Sequence, residues 1–429
     1  MNPLEQVYRL LTTSHPICTD SRNVGDGSVF VALKGDSFDG NKFALDAIEK
    51  GATLAVVDSQ NLKGYPNTLF VPSTLTFLQD LARFYRSKLN IPIIALTGSN
   101  GKTTTKELIN TVLSVKYRTC ATQGNLNNHI GVPLTLLSIR QDAEIAIVEL
   151  GANHIGEIAF LCSIAQPTYG LITNVGKAHL EGFGSEEGVK QGKSELYQFL
   201  AKDGGPIFLD NDNPILKGLA DKHGLRHRIC YGFSSFHTHD VSSSQSYLSF
   251  KISYSSIDYD VTTQLVGSYN IENILAAIRV GEHFGVKLVD AIKAIGAYKP
   301  TNNRSQIMQT SQNTLILDAY NANPSSMELA IRNFAELVTD KPKLAILGEM
   351  LELGDYAQKE HTRIARMALQ CLQNVYLVGQ NYSSLKVEAQ WFPSQTDLAK
   401  YIQHNPLLGH TILLKGSRGV RLDDVVKYL

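Results

Sequence analysis

IPIIALTGSNGKTTTKELI, residues 91–109, is the stretch that decides the fold. An apolar segment runs into a glycine-rich turn, and a helical pattern follows at once. Glycines let the backbone turn tightly and aim its N–H groups at an anion, and the start of the following helix adds partial positive charge. The stretch therefore predicts a strand, a phosphate-binding loop (P-loop) and a helix. The nucleotide-binding residues of the predicted loop are Gly98, Ser99, Asn100, Gly101, Lys102, Thr103 and Thr104.

Two residues of this loop have predicted chemical roles. Lys102 is expected to reach the β- and γ-phosphates, and the Thr103 hydroxyl is expected to bind Mg²⁺. The loop departs from the standard G-x-x-x-x-G-K-[ST] pattern because Leu96 occupies the place of the first glycine. The alternative interpretation is a glycine turn followed by a solvated lysine, which the strand–loop–helix context disfavours. ATP is favoured over GTP because the chain has no N-K-x-D segment to recognise guanine.

Apolar, β-branched runs alternate with stretches of helical period on both sides of the loop. This pattern is typical of parallel α/β sheets covered on both faces. Examples are Val29–Leu33, Leu54–Val57, Ile93–Leu96, Ile145–Leu150, Leu171–Thr173, Leu315–Leu317, Leu344–Leu347, Val375–Val378 and Ile412–Leu414. The segment Tyr247–Gln264 differs, because alternating apolar and polar residues around a polar turn predict an antiparallel hairpin.

The chain of 429 residues is too long for one core. Boundaries are expected near Lys88–Pro92 and in the turn-rich segment Lys299–Asn303. We predict an α/β protein of three domains: a smaller N-terminal α/β domain (1–88), a central P-loop ATPase-like domain with a mostly parallel sheet (89–300) and a C-terminal Rossmann-like α/β domain (301–429).

Charge and cysteine content exclude several function classes. Lys plus Arg and Asp plus Glu both number 40, so the chain as a whole has no electrostatic reason to bind nucleic acid or an anionic membrane. The five cysteines are scattered and never form a C-x-x-C pair, which is typical of a reducing compartment. The N-terminal segment lacks the apolar region of a signal peptide, and no apolar run is long enough to span a bilayer. We expect a cytoplasmic monomer.

Three further residues are candidates for chemistry near the phosphates. Glu149 ends an apolar run and is followed by glycine, so with the P-loop upstream it is interpreted as a metal ligand rather than a solvated carboxylate. His179 follows another strand, and position alone does not separate a ligand from a structural histidine. From the residues alone, Lys193 is interpreted as an ordinary surface lysine.

The motifs taken together resemble the Mur ligase family of peptidoglycan synthesis, in order along essentially the whole chain. GSNGKTTTKE is similar to the P-loop variant of that family, which accounts for the missing first glycine. The other similar segments are TDSR (19–22), VALKGDSFDGNKF (31–43), TQGNLNNHIGVPLTLL (122–137), ELGANHIGEI (149–158), TNVGKAHLEGFGS (173–185), GSYNIENILAA (267–277), DAYNANPSSM (318–327), LGEMLELGDYAQKEH (347–361) and LKGSRGVRLDD (414–423).

The resemblance implies roles for individual residues. Lys102, His179 and Lys193 would be catalytic, and Mg²⁺ would be held by Thr103, Glu149, His179 and a carbamate formed from Lys193 and CO₂. Asn273 would contact adenine, while Arg304 and Asp318 would reach the phosphates or ribose of ATP. The implied substrate contacts are Ser21 and Arg22 near the uridine and, further along the chain, Asn125, Asn127, Asn128, Tyr320, Asn321, Asn323 and Ser326.

The activity implied by the resemblance is ATP-dependent amide-bond formation through an acyl phosphate. UDP-muramoyl tripeptide would supply the carboxylate and D-alanyl-D-alanine the amine. The alternatives are the family member that adds the third peptide residue, a folylpolyglutamate synthetase, and, from a different class, a P-loop regulatory ATPase. Asn321, Asn323 and Ser326 could grip a peptide bond and a terminal carboxylate. The less favoured alternative is that they form only a side-chain-stabilised turn at a strand end.

Overall fold

The computed structural model describes residues 2–12, 16–242, 247–301, 304–385 and 387–429. It contains successive sheets of mostly parallel strands with helices between them, which confirms the predicted α/β class. Each apolar run named above overlaps an observed strand. Short 3₁₀ helices occur at Gly40–Phe43, Gln60–Leu62, Ser268–Asn270, Gly354–Tyr356, Gln380–Tyr382, Arg418–Val420 and Leu422–Tyr428.

The N-terminal part of the chain carries the smallest of the parallel sheets. Its strands are β1 (Ile17–Cys18), β2 (Val29–Val31), β3 (Lys34–Gly35), β4 (Phe38–Asp39), β5 (Leu54–Val57) and β6 (Thr68–Phe70). Its helices are α1 (Pro3–Thr12), α2 (Ala44–Glu49) and α3 (Thr74–Lys88). Strands β1, β2, β5 and β6 pair in parallel in that order, whereas β3 and β4 form a separate antiparallel pair.

The central part contains the P-loop strand in the middle of a parallel sheet. Its strands are β7 (Ile93–Thr97), β8 (Thr119–Ala121), β9 (Ile145–Glu149), β10 (Tyr169–Ile172), β11 (Ile207–Asp210), β12 (Arg228–Tyr231), β13 (Thr238–Ser242), β14 (Ser249–Tyr254) and β15 (Ile257–Thr262). Its helices are α4 (Lys102–Leu113), α5 (Gly131–Leu137), α6 (Glu157–Ala165), α7 (Leu180–Phe183), α8 (Glu186–Ala201), α9 (Pro214–Lys222), α10 (Phe233–Phe236), α11 (Ile271–His283) and α12 (Leu288–Ala297).

Strand order places the P-loop between two other functional loops. The parallel sheet runs β12-β11-β10-β7-β9-β8, so β7 lies between β10 and β9. Because parallel strands end at one edge of the sheet, the loops after β7, β9 and β10 converge there. The predicted antiparallel hairpin is confirmed as β14 and β15, and β13 adds a third strand that the sequence pattern did not predict.

The C-terminal part has a second six-stranded sheet. Its strands are β16 (Gln306–Gln309), β17 (Thr314–Asp318), β18 (Lys343–Gly348), β19 (Val375–Val378), β20 (Gln390–Phe392) and β21 (Thr411–Lys415). Its helices are α13 (Pro324–Glu336), α14 (Ala357–Cys371) and α15 (Gln395–His404). The order is β16-β17-β21-β18-β19-β20, with β16 as an antiparallel edge and the other strands parallel. The carboxyl ends of β17, β21 and β18 are therefore neighbours.

The hydrophobic cores cross the expected domain boundaries. One core contains Val56 of the N-terminal sheet, Leu81 of α3 and Val148 of β9. Another joins Phe183 of α7 to Met350 of the C-terminal part. The boundary expected at residue 88 falls at the end of α3, and the one expected at 299–303 falls between α12 and β16, with residues 302 and 303 outside the described part. No helix among the described residues is long and apolar enough to cross a bilayer.

Candidate active site

A cleft of about 710 Å³ lies between the central and C-terminal parts of the chain, at the carboxyl ends of β7, β9 and β17. It collects most of the residues singled out from the sequence, although they come from distant segments. Those residues are Ser99, Asn100, Gly101, Lys102, Thr103, Thr104, Asn125, Asn127, Asn128, Glu149, His179, Asn273, Arg304, Asp318, Tyr320, Asn321, Asn323 and Ser326. Such a cleft has room for a nucleotide and part of a second substrate.

The P-loop needs its glycines for steric reasons. Gly98 has φ +150°, and a Cβ atom there would lie 2.0 Å from the Thr173 Oγ1. Gly101 has φ +76° and immediately precedes Lys102, the first residue of α4. The Lys102 Nζ donates a hydrogen bond of 2.6 Å to the Gly98 carbonyl oxygen, at the mouth of the loop. Burial lowers the pKa of Lys102, an effect that the Glu149 carboxylate opposes and the Arg304 charge reinforces.

Glu149 is a buried carboxylate held by neutral donors. The Thr103 Oγ1 donates to its Oε2 at 2.9 Å, and the Asn127 Nδ2 donates to its Oε1 at 2.8 Å. Across the part of the chain that the structure describes, no group of three or more His, Cys, Asp or Glu side chains is arranged to hold a metal. Mg²⁺ in nucleotide sites takes one or two protein oxygens and completes its shell with phosphate and water. Thr103 and Glu149 fit that mode of binding, but not an all-protein metal cage.

His179 is engaged by a residue that the sequence did not indicate. Its Nδ1 hydrogen-bonds the Oε2 of Glu352, and the backbone N–H of Glu181 donates to the Glu352 carbonyl at 3.2 Å. The hydrogen bond with His179 lowers the pKa of the Glu352 carboxyl. Glu352 was missed because 173 residues separate the two partners and only the C-terminal sheet brings it to the cleft. The role of His179 as a metal ligand stays a prediction.

Lys193 is not the surface lysine that its sequence context indicated. Its side chain is 0% exposed, and its Nζ donates to the Ala152 carbonyl oxygen at 3.1 Å. The ring of Phe183 lies 5.2 Å away, and among the described residues no carboxylate forms an ion pair with it. Burial, followed by repulsion from Lys102, holds the pKa of Lys193 well below its usual value. The surface interpretation was wrong because this face of α8 packs against the loop after β9.

Asn273, predicted to contact adenine, lies directly against the P-loop. Its Oδ1 accepts a hydrogen bond from the Thr105 Oγ1, and its Nδ2 donates to the Asn270 Oδ1, each at 2.9 Å. A Cβ at Gly101 would lie 2.7 Å from the Asn273 Oδ1. The amide therefore also supports the loop from behind, and its contact with adenine stays a prediction. The neighbouring Tyr269 hydroxyl hydrogen-bonds the Ser305 hydroxyl at 2.9 Å.

Glu272 is an acidic group in the cleft that the sequence did not single out. Burial raises its pKa to about 7, and the nearby Asp210 and Asp212 carboxylates add to the rise. A raised carboxyl pKa means that the folded protein binds the proton more tightly than the unfolded chain. The stability of the fold therefore falls as the pH rises from the ordinary value of 4.5 through 7.

Replacing Glu272 by glutamine is expected to stabilise the protein at alkaline pH. The variant removes a carboxylate whose charged form is disfavoured by burial. The free energy of unfolding should therefore rise by up to about 3 kcal/mol at pH 8 and should not rise at pH 4.5. The measurement is thermal unfolding at the two pH values. Glu336→Gln, at an exposed position on α13, is the control. Equal effects of Glu272→Gln at both pH values would contradict the buried-carboxyl assignment.

The C-terminal sheet presents a charged pair and a stacked arginine to the cleft. The Lys415 Nζ contacts the Asp318 Oδ2 at 2.5 Å, and Lys415 is 2% exposed. The Arg304 guanidinium carbon lies 3.7 Å from the centroid of the Tyr320 ring. The charge of Asp318 at the cleft is therefore already balanced by the charge of Lys415. Lys415 lies within one of the sequence motifs, but no role was predicted for it. The contacts of Arg304 and Asp318 with ATP stay predictions.

Two residues expected to grip the dipeptide cap α13. The Asn323 Oδ1 accepts from the backbone N–H of Ser326 at 2.9 Å, and the Ser326 Oγ accepts from the backbone N–H of Asn323 at 3.1 Å. The Asn323 Nδ2 donates to the Asn100 Oδ1 of the P-loop at 2.7 Å. The turn interpretation thus describes what these two side chains do in the fold. Asn321 is exposed in the cleft, and dipeptide binding by all three stays a prediction.

The remaining predicted substrate residues lie on other loops. Asn128 precedes α5, and its Oδ1 accepts a hydrogen bond from the backbone N–H of Gly131, the first residue of that helix, at 2.8 Å. Arg22 is exposed and paired with Asp20 at 2.7 Å, and neither Ser21 nor Arg22 lines the cleft. Both lie in the turn between β1 and β2 of the N-terminal part, and their contact with uridine stays a prediction.

The fold and the cleft together define a class: three-domain α/β proteins with a P-loop at the junction of the central and C-terminal domains. Comparison with known families is consistent along the chain. Residues 13–86 match the Mur ligase family catalytic domain, residues 96–281 the Mur ligase middle domain, and residues 303–418 the Mur ligase glutamate ligase domain. The chain belongs to the Mur ligase family.

Individual relatives are similar over nearly their whole length. The UDP-N-acetylmuramoyl-tripeptide–D-alanyl-D-alanine ligase of Bacillus subtilis is 35% identical, with 97% of this chain and 93% of that protein covered. A crystal structure of MurF from Acinetobacter baumannii superposes with a TM-score of 0.86 at 28% identity, covering 99% of this chain and 97% of that one. MurF ligase from Thermotoga maritima, solved in complex with ADP, gives a TM-score of 0.84 at 27% identity, covering 98% and 97%. These superpositions confirm the predicted three-domain architecture.

Proposed function

We propose that the protein is an ATP-dependent ligase that joins D-alanyl-D-alanine to UDP-N-acetylmuramoyl tripeptide in peptidoglycan precursor synthesis. The observation that carries the proposal is the cleft between the P-loop and the C-terminal sheet, in a chain 35% identical over 97% of its length to a relative of that name. We further propose the cytoplasm as the site of the reaction, because ATP is available there and the five unpaired cysteines would stay reduced.

The proposed reaction proceeds through an acyl phosphate. The tripeptide carboxylate attacks the γ-phosphorus of ATP in line, a P–O bond forms, and ADP leaves. The Lys102 ammonium and the backbone N–H groups at the start of α4 offset the charge that spreads over the phosphate oxygens. The amine of the dipeptide then attacks the acyl carbon, loses a proton, and the tetrahedral intermediate expels phosphate. ATP thus supplies the electrophile that a free carboxylate lacks.

Thr103 and Glu149 would hold Mg²⁺ in the proposed site. Bound there, the ion supplies positive charge against the phosphate oxygens. The Asn127 amide orients the Glu149 carboxylate through the hydrogen bond at 2.8 Å, so Asn127 acts as a positioning residue. His179 remains available to the site at its second ring nitrogen, since Nδ1 is paired with Glu352.

We propose in addition that Lys193 is carbamylated. The amine must be neutral to attack CO₂, and burial together with the lowered pKa favours the neutral form. In this step the amine nitrogen attacks the carbon of CO₂, so that an N–C bond forms while one C=O π bond opens to give a carboxylate oxygen. The nitrogen releases a proton to water. The product would replace a buried neutral amine by an anion within electrostatic reach of Glu149 and Lys102, which suits a cation-binding role.

Contacts between the two domains support the exclusion of water from an acyl phosphate. Asn323 bonds Asn100 of the P-loop, and the Lys177 Nζ contacts the buried Glu360 carboxylate at 3.3 Å. The backbone N–H of Lys177 also donates to the Ser325 Oγ at 3.1 Å. The C-terminal domain is therefore tied to the loops after β7 and β10 at several points, as a reaction with a water-sensitive intermediate requires.

The two classes of alternative are separated by the substrate requirement. A P-loop regulatory ATPase would release phosphate from ATP alone, whereas the proposed ligase needs both a carboxylate and an amine substrate. The folate enzyme and the ligase that adds the third residue would accept different acceptors. The test is phosphate release with each substrate omitted in turn, followed by the mass of the product. Release that is independent of both substrates would overturn the proposal.

We expect the dipeptide to be strongly preferred over a single amino acid. A site that pairs the peptide group and terminal carboxylate of D-alanyl-D-alanine leaves those pairing groups unsatisfied when D-alanine binds, which costs several kcal/mol. The measurement is a competition between D-alanine and D-alanyl-D-alanine at equal concentration, with UDP-muramoyl tripeptide as acceptor. Comparable incorporation of D-alanine would defeat the dipeptide assignment and leave the ligase assignment standing.

A further inference from the structure

Four lysine and arginine side chains line the cleft: Lys102, Arg304, Lys415 and Arg418. Three of them have a place in the proposed nucleotide site. Lys102 belongs to the P-loop, Arg304 acts electrostatically on Lys102, and Lys415 is paired with Asp318. Arg418 has no such assignment. Among the described residues it has neither an ion-pair partner nor a side-chain hydrogen bond, and its side chain is exposed.

The backbone at Arg418 is held in place through the preceding residue, Ser417. Ser417, 3% exposed, accepts a hydrogen bond from the Leu351 N–H at 2.9 Å and donates one to the Ala322 carbonyl at 3.3 Å. The backbone N–H of Ser417 also donates to the Glu349 carbonyl at 3.1 Å. The segment after β21 is thereby tied to the loops after β17 and β18. Arg418 therefore lies where the segments after β17, β18 and β21 meet.

Arg418 also faces the segment expected to receive the amine substrate. Its guanidinium carbon lies 5.5 Å from the centroid of the Tyr320 ring, next in sequence to the exposed Asn321. The side chains of Asn323 and Ser326 are already hydrogen-bonded in the cap of α13, and Asn323 also bonds the P-loop. Neither side chain carries a positive charge. A cation for a substrate carboxylate must therefore come from elsewhere in the cleft.

The chemistry of the amine substrate requires such a cation. The amine has to reach the acyl phosphate at the P-loop, and an extended dipeptide places its terminal carboxylate up to about 7 Å further away. A carboxylate enclosed between two domains is costly unless it is paired. A guanidinium can donate two parallel hydrogen bonds to it, which gives both charge compensation and a preferred direction.

We propose that Arg418 binds the C-terminal carboxylate of the dipeptide and makes the ligase specific for an amine substrate that ends in a free carboxylate. This inference rests on the proposed function and adds a specificity-determining residue to it. The competing assignment is that Arg418 binds the ATP phosphates. The two assignments differ in which substrate binds more weakly when the guanidinium is removed.

The test compares Arg418→Met and Arg418→Lys with the unaltered enzyme on two amine substrates, D-alanyl-D-alanine and D-alanyl-D-alaninamide. The unaltered enzyme should prefer the free acid by about 10²-fold in kcat/KM, since unpairing one member of an enclosed charge pair has an effect of this size. Arg418→Met should raise the KM for D-alanyl-D-alanine by a similar factor and abolish the preference. Arg418→Lys should keep part of it, and the KM values for ATP and the UDP-linked substrate should stay within about twofold.

Arg421→Met is the matched control, because Arg421 lies in the same segment and is exposed but is paired with Asp424 at 2.9 Å. It should retain both activity and preference. A raised KM for ATP in Arg418→Met, or an unchanged preference for the free acid, would overturn the inference while the ligase activity stands. Failure of the unaltered enzyme to ligate D-alanyl-D-alanine would instead overturn the proposed function and the inference with it.

Discussion

Replacing Lys102 by alanine is expected to abolish ligation while the fold is kept. The lysine is the cation of the P-loop, and its Nζ lies 2.6 Å from the Gly98 carbonyl at the place where the phosphates would sit. Loss of one group that stabilises charge in the transition state costs about 10²–10³ in rate, or about 3–4 kcal/mol. Because burial lowers the pKa of Lys102, its charged form is held at a cost, and the alanine variant should unfold at no lower temperature.

Product formation measured by mass, together with thermal unfolding, separates the two effects. Lys217→Ala, at an exposed position on α9, is the control and should behave like the unaltered enzyme. A Lys102→Ala enzyme with near-normal turnover would refute the phosphate-loop assignment. A variant that is inactive but also unfolded would indicate instead a structural role for this lysine.

Replacing Lys193 should lower the activity about as much as replacing Lys102 does. Small carboxylic acids should restore part of the lost activity. If its carbamate is an anionic ligand near Glu149, both Lys193→Ala and Lys193→Met should lose about 10²-fold or more in activity. Short carboxylic acids such as formate or acetate should restore part of the activity of the alanine variant, since they can place oxygens in the vacated space. The methionine variant fills that space, so it should keep the packing around Phe183 and show no rescue.

Lys190→Ala is the matched control for this experiment. Lys190 lies on the same helix, one turn earlier, and its side chain is 35% exposed and paired with Glu187. It should retain activity with or without added acid. Absence of rescue in Lys193→Ala, together with an unmodified mass of the Lys193 peptide, would count against the carbamate and leave Lys193 as a buried neutral amine.

Prediction of the fold succeeded where the local pattern and the burial agree. The central strands β7, β9, β18 and β21 are almost wholly buried and are therefore apolar except at their ends, which the sequence displays directly. The edge strands β16 and β20 were not predicted, because strands that are partly solvated keep polar residues and lose the apolar signature. The hairpin was predicted because alternation with period two needs no tertiary information.

The sequence by itself determined the P-loop and its chemistry. Gly98, Gly101, Lys102 and Thr103 lie within one short segment. The steric freedom of the glycines, the charge of the lysine and the hydroxyl of the threonine therefore act at positions that local backbone geometry sets. The same holds for the order of strands and helices and, through ordered motifs, for the family. None of these properties depends on which distant segment packs nearby.

Only the tertiary structure decided which side chains face the cleft and which groups they contact there. Lys193 is buried because α8 packs on the loop after β9, and Glu352 reaches His179 from another domain. Lys415 pairs with Asp318, whereas Arg418 has no ion-pair partner within the described part of the chain. Charge pairing and burial are properties of through-space neighbours, and here those neighbours lie 41 to 173 residues apart in the chain. A one-dimensional pattern cannot record such separations, because loop closure between distant segments is selected by packing of the sheets rather than by local propensity.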